Sequence, residues 1–428
     1  MPVEPTDLDP LALRQAWSQL RTSGQASPNI ARLLQVGVGQ FLDAFSEEYL
    51  GSAGLGQGMK IVLGANGEGK THLLYCLRER ALLAGHAVSY VEATSSGLGE
   101  SQFSFAQQVL RRIETSEFMD GGDARIPALI RAAVARKRKA AEAAGLDPQP
   151  VLNAWARGLK NKDLYPHGLS EALGSAVTAA IDEDDDALRT HASEMAFEGV
   201  RLTKAQAEQG GAQFLGSLPI VVRLLGFQSL VILVDEAELA VEKQGKQRRE
   251  RFLKALRFLN DHVANGDRSP CLIVTCCSSD FWPDQFLHYE ALYQRLDDPG
   301  RNTPEDRRGL KTRTLVKLTK LWVHETFRGD LQDYSALGAA IVALAARVHR
   351  DVDRDVQAKN IEVFARAASS RGLLRPVKRY FIKALCVELE AQIDNESQHV
   401  VADQEAFKAL DAAIQSIQEH DETTDTGA

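Results

Sequence analysis

The sequence predicts an α/β fold: a parallel five-stranded sheet carrying a long helical insertion and closed by an all-helical C-terminal segment. Three observations lead there. Five short β-rich runs, Ile61–Leu63, Ala87–Val91, Leu230–Val234, Leu272–Cys276 and Leu315–Leu318, alternate with helical text, the pattern of a parallel sheet. Between the second and third runs, from about Gly97 to Gly226, the chain is rich in Ala, Leu, Arg and Glu with few strand signals. From Leu331 onward the periodicity is helical throughout.

Taken in order, residues 1–50 are an N-terminal helical segment, with Leu11, Leu13, Trp17 and Leu20 at loosely helical spacing before a polar break at Ser23–Pro28. The apolar stretch Ile30–Leu50 then runs into glycine-rich Gly51–Gly58. The α/β core spans 51–330, with the insertion at about 97–226. Inside the insertion the basic run Arg136-Lys137-Arg138-Lys139 and the acidic run Asp182–Asp186 read as a solvated helix face and a loop, the ordinary meaning of charge blocks. Residues 331–395 are helical, with Ile341, Leu344 and Val348 in an Ala-rich stretch. Residues 396–428 read as an acidic tail, since nine acids and one lysine, Lys408, follow Ala391.

Composition excludes several classes. Across 428 residues, 44% hydrophobic and 25% charged is a globular balance and leaves room for two or three domains. No apolar run approaches the roughly 18 residues of a membrane span, and Met1-Pro2-Val3-Glu4 lacks a secretory signal's basic and apolar regions. The expected location is the cytoplasm, away from membranes. Cys76, Cys271, Cys276, Cys277 and Cys386 form no CxxC pair, which fits buried thiols in a reducing compartment rather than zinc or disulfides. A net charge of −8 excludes indiscriminate coating of nucleic acid and confines any DNA contact to local patches.

The chemistry sits in two motifs. Gly64-Ala65-Asn66-Gly67-Glu68-Gly69-Lys70-Thr71 fits GxxxxGK[ST], follows an apolar strand, and opens a helical run at His72. Backbone N–H groups of such a loop cradle phosphates at a helix N-terminus, where the helix dipole favours anions. Lys70 then neutralises β- and γ-phosphates and Thr71 ligates Mg²⁺, so ATP and Mg²⁺ are the expected cofactors. Leu230–Val234 is a buried strand ending in Asp235, suited to the Mg²⁺ shell, and Glu236, suited to polarise an attacking water. Asp235-Glu236-Ala237-Glu238 resembles the DEAx box of superfamily 2 helicases, but no QxxGRxxR-type motif accompanies it. Cys271–Ser279 is a strand with a polar end; Thr275, Ser278 or Ser279 is placed to reach a γ-phosphate.

Together with an arginine near the end of a helical stretch (Arg295, in Glu290–Leu296) and a helical lid carrying Arg371 and Arg375, this order resembles an AAA+ ATPase core. Leu20-Arg21 to Val36-Gly37, Gly64–Thr71 with Gly85–Ser89, Val234-Asp235-Glu236 and Arg313–Leu318 are similar to the ATP-binding P-loop family of BREX phage-defence systems, BrxD-like in length, over roughly 12–390. Asn66 stands where that family often has an aromatic. The resemblance implies a polar-tipped strand inserted between the two motif strands. It also implies Arg295 as an arginine finger offered to a neighbouring subunit, with Arg301, Arg307 and Arg308 as rivals, and Arg371 or Arg375 as the lid's nucleotide-sensing arginine. The function implied is an ATPase that assembles or remodels a DNA-directed defence complex, working as a homo-oligomer with other defence-system proteins. The alternative is an ATP-dependent oligomerising switch or scaffold with little turnover. Only about 35–40 residues follow Glu390, too few for a packed winged helix, so DNA contact falls to the ring pore, the insertion or a partner.

Overall fold

The computed structural model describes residues 10–28, 30–36, 38–51, 58–64, 69–93, 101–117, 125–198, 204–239, 246–264, 270–278, 315–317, 331–370 and 377–426. In chain order these carry α1 (Pro10–Ser23), α2 (Gly39–Phe45), β1 (Gly58–Gly64), α3 (Lys70–Leu83), β2 (Ala87–Glu92), α4 (Gln102–Arg111), β3 (Ile113–Glu114), α5 (Arg125–Ala143), α6 (Pro148–Lys160), α7 (Leu169–Ile181), α8 (Asp185–Met195), α9 (Lys204–Leu224), β4 (Leu230–Asp235), α10 (Lys246–Phe258), β5 (Cys271–Ser278), β6 (Leu315–Lys317), α11 (Leu331–Val348), α12 (Arg354–Ser370), α13 (Val377–Asp394) and α14 (Asp403–Thr426).

One sheet runs in the order β3-β2-β4-β5-β1-β6. Four of the five expected runs fall wholly in strands, and β6 takes in Leu315–Lys317 of the fifth, whose Leu318 lies outside the described residues; β5 lies between β4 and β1 as the resemblance implies. Pairing is parallel for β2 with β4 and for β4 with β5. The expected five strands are corrected to six, because β3 adds to β2 in antiparallel sense at the edge. Its two residues are too short to show an alternating pattern, so the insertion hid it.

Packing divides the chain into two compact units: 44–63 with 77–316, and 1–43 with 64–76 and 317–428. In the first, alternate strand residues share a sheet face. Met59, Ile61, Leu63, Ala87, Val91, Ile232, Val234, Ile273 and Cys277 bury on one face in a core shared with α4, α9 and the helices α5–α8. The acidic run is structural there. Asp184 caps α8 by accepting from the Ala187 N–H at 3.0 Å, and Asp185 and Asp186 occupy that helix's first turn, where negative charge is favoured. In the basic run, Arg136 lies over the Phe227 ring, 4.4 Å from its centroid, and pairs with Glu117. Lys137 and Lys139 are exposed.

In the second unit, α1 packs with the C-terminal helices: Leu13, Ala16, Trp17 and Leu20 bury in one cluster with residues of α11–α14. The chain turns at Gly24, whose φ of +68° and 2.3 Å approach of an ideal Cβ to the Arg379 carbonyl leave room for glycine alone. Trp17 Nε1 donates to Glu390 at 3.2 Å, and Arg21 pairs with the same carboxylate at 2.8 Å. The expected acidic tail is a correction. Asp403–Thr426 forms α14, and Ala406, Leu410, Ala413 and Ile417 recur at helical spacing and bury in this cluster. Asp403, Glu405, Asp411 and Glu419 are exposed on the same helix, so composition concealed an amphipathic element. All five cysteines are buried free thiols.

Candidate functional site

β1 feeds its apolar residues into the sheet and releases the chain at Gly64, and α3 begins six residues on, at Lys70. Gly69, at φ +91°, takes the left-handed turn into the helix, a conformation that disfavours side chains. Leu73 N–H donates to Gly69 O at 2.9 Å, so the helical ladder starts there and the N–H groups of Lys70, Thr71 and His72 lie in the first turn, where helices lack intrahelical acceptors. Lys70 is buried and its Nζ donates to Gly64 O at 2.9 Å, bringing the ammonium to the end of β1. Thr71 and His72 are half-buried. His72 Nε2 is 3.6 Å from Cys76 Sγ. Burial, helped by the nearby Lys378 ammonium, pushes the imidazole down to about 4, so it is neutral near pH 7. Ala65, Asn66, Gly67 and Glu68 lie outside the described residues.

The second motif closes β4. Asp235 is only 2% exposed. Both its oxygens are engaged: Oδ1 accepts from the Glu236 N–H at 3.0 Å and Oδ2 from the Tyr90 hydroxyl at 2.7 Å. The carboxylate is thereby fixed, and it offers the hard oxygen that Mg²⁺ takes beside nucleotide phosphates. Glu236 is exposed, and its φ of +52°, costly for a side-chain-bearing residue, turns the chain sharply out of the buried strand. Two consecutive carboxylates thus differ in environment, Asp235 buried and Glu236 exposed.

Strand register separates two of the three polar candidates, Thr275 and Ser278. Val234 pairs with Thr275, so Thr275 shares the core face of Val234 and Cys277. It is fully buried, and its Oγ1 has no hydrogen-bond partner. Ser278, three residues on, falls on the opposite face, that of Asp235, and is buried at the strand's end. Ser279 lies outside the described residues, as do Arg295, Arg301, Arg307, Arg308, Arg371 and Arg375.

Tyr90 was not legible in the sequence. It stands in the middle of an apolar run, and only the register of β2 on β4, with Tyr90 opposite Leu233 and Glu92 opposite Asp235, puts its hydroxyl on the face of Asp235.

No curated protein matches the chain. A family model, described as BREX system ATP-binding protein BrxC/D, matches residues 190–409, just over half of the chain. The matched span takes in Asp235, Glu236 and Ser278 and most of the C-terminal helices, while the loop Gly64–Thr71 precedes it. Binding of ATP and partnership with other proteins of the same system go with such membership: the chain belongs to the BREX system ATP-binding protein BrxC/D family.

Proposed function

We propose that this chain hydrolyses ATP with Mg²⁺ as an AAA+-type ATPase and uses turnover to assemble or remodel a DNA-directed phage-defence complex. The observation that carries the reading is the contrast at the end of β4, where Asp235 is buried and held by two donors while Glu236 is turned out to solvent. A hydrolase needs both kinds of carboxylate, one rigid toward a cation and one able to reach water.

In this reading the loop N–H groups and Lys70 bind phosphates, and Thr71 and Asp235 supply oxygens for Mg²⁺, which neutralises charge on the β- and γ-phosphates when bound. Glu236 orients the attacking water. Ser278 is assigned the polar contact to the γ-phosphate, because the register gives it the face of Asp235. Arg295 is assigned the finger offered to a neighbouring subunit, and Arg371 the lid contact to nucleotide. The enzyme is then a homo-oligomer, DNA and other proteins of the system are what it acts on, and no winged helix is required.

Steady-state ATP hydrolysis, with and without DNA, tests the proposal against an ATP-dependent switch or scaffold. DNA-stimulated turnover that disappears in Glu236→Gln, with ATP binding retained, is the expected result. Binding without turnover under every condition favours the switch.

A further inference from the structure

We infer that Tyr90 is a positioning residue for the metal-facing carboxylate, holding Asp235 in a single orientation through its phenolic hydroxyl; this rests on the reading of Asp235 as the Mg²⁺ carboxylate. Three observations carry it. The Tyr90 hydroxyl donates to Asp235 Oδ2 at 2.7 Å, a short charge-assisted bond. The two residues come from neighbouring strands in fixed parallel register, Val91 opposite Val234 and Glu92 opposite Asp235, so the geometry is set by the sheet and not by a loop. Asp235 is 2% exposed, so water cannot take over the lost bond freely.

The remaining donor to Asp235 that fixes its rotation is local. Oδ1 takes the N–H of the next residue, Glu236, whose left-handed backbone is a bend in the chain. A carboxylate held only by its own neighbour keeps rotational freedom about its Cα–Cβ bond. The tyrosine, reaching across from β2, removes that freedom. It leaves on each oxygen a further lone pair, since an ionised carboxylate has about four acceptor sites. An outer partner of this kind tunes a metal ligand without touching the metal, and its loss typically costs about 10–100-fold in metal affinity.

The test uses the full-length protein, the non-hydrolysable analogue AMP-PNP and Mn²⁺, with bound Mn²⁺ read by electron paramagnetic resonance. Tyr90→Phe is expected to weaken Mn²⁺ binding to the analogue complex by about tenfold, with AMP-PNP affinity in EDTA unchanged. In hydrolysis it should raise the Mg²⁺ concentration for half-maximal rate while saturating Mg²⁺ restores most of kcat. Tyr90→Gln, which keeps a donor, should recover part of the loss. Tyr90→Met stands in as the donor-free variant if Tyr90→Phe does not fold. Asp235→Asn should weaken Mn²⁺ more, and adding Tyr90→Phe to it should cost nothing further. Wild-type Mn²⁺ affinity in the donor-free variant, with Asp235→Asn impaired, overturns the role of Tyr90 alone. Wild-type affinity in Asp235→Asn overturns the metal reading beneath it as well.

Discussion

Replacing Glu114 by leucine tests whether the edge strand is held by charge. Glu114, on β3, is 8% exposed and receives two arginines: Arg78 from α3, with Nε at 2.6 Å, and Arg125 from the start of α5, at 2.8 Å. Arg78 is itself 5% exposed, so removing its partner strands a buried guanidinium. Breaking a buried pair in that way costs about 3–5 kcal/mol. Arg125 is 27% exposed and donates to Arg112 O at 3.3 Å, so it retains water and an acceptor and adds little. The expected loss is therefore near the lower bound, about 3 kcal/mol. A chain of two compact units need not unfold in one step, so hydrogen exchange of the β2 and β3 amides is the suitable assay. Protection there should fall by about a hundredfold, the equivalent of roughly 2.7 kcal/mol, or more. The double variant Arg78→Met/Glu114→Leu should recover much of it, because matched apolar replacement of a buried pair is often neutral. A drop below about fivefold in the single variant would refute the reasoning, since it would mean that the arginine finds water or another acceptor.

Three further outcomes are expected. His72 has its folded pKa lowered from 6.5 to about 4, so the unfolded chain takes up its proton first and stability contributed by the neutral ring is lost as pH falls from about 6.5 to 4; His72→Gln should flatten that part of a stability-against-pH curve, and an unchanged slope would contradict it. Changing Lys137, Arg138 and Lys139 to alanine should leave the salt dependence of DNA binding unaltered, whereas a drop in slope of about 0.9 per residue would show that the run grips phosphates. If the proposed function holds, mixing Lys70→Ala with Arg295→Ala subunits should restore part of the ATP hydrolysis that each lacks, and a co-assembled but inactive mixture would remove Arg295 as a finger in trans.

The strands were legible because burial writes itself as apolar runs: Leu230–Val234 is buried at every position and lies wholly in β4. The turn into α3 was legible because the motif sets a glycine before its lysine, and Gly69 at φ +91° takes a backbone conformation that disfavours side chains. What escaped depends on partners distant in sequence. Ile113–Glu114 becomes a strand only by adding to β2, and Glu114 draws its two arginines from 36 and 11 residues away. Acidic composition masked α14, whose helical nature rests on four apolar positions rather than on its charge. Telling Thr275 from Ser278 needed a register, because a one-residue step changes the sheet face. Tyr90 needed both a register and a neighbouring strand.

The nucleotide site itself is tested most directly by equilibrium binding of ATP to the wild type and to Lys70→Ala, measured by calorimetry with circular dichroism as the check on folding. The ammonium of buried Lys70, bonded to Gly64 O at the end of β1, is the group assigned to the phosphates, so the variant should keep its fold and lose ATP binding. ATP affinity in Lys70→Ala equal to that of the wild type would contradict the site.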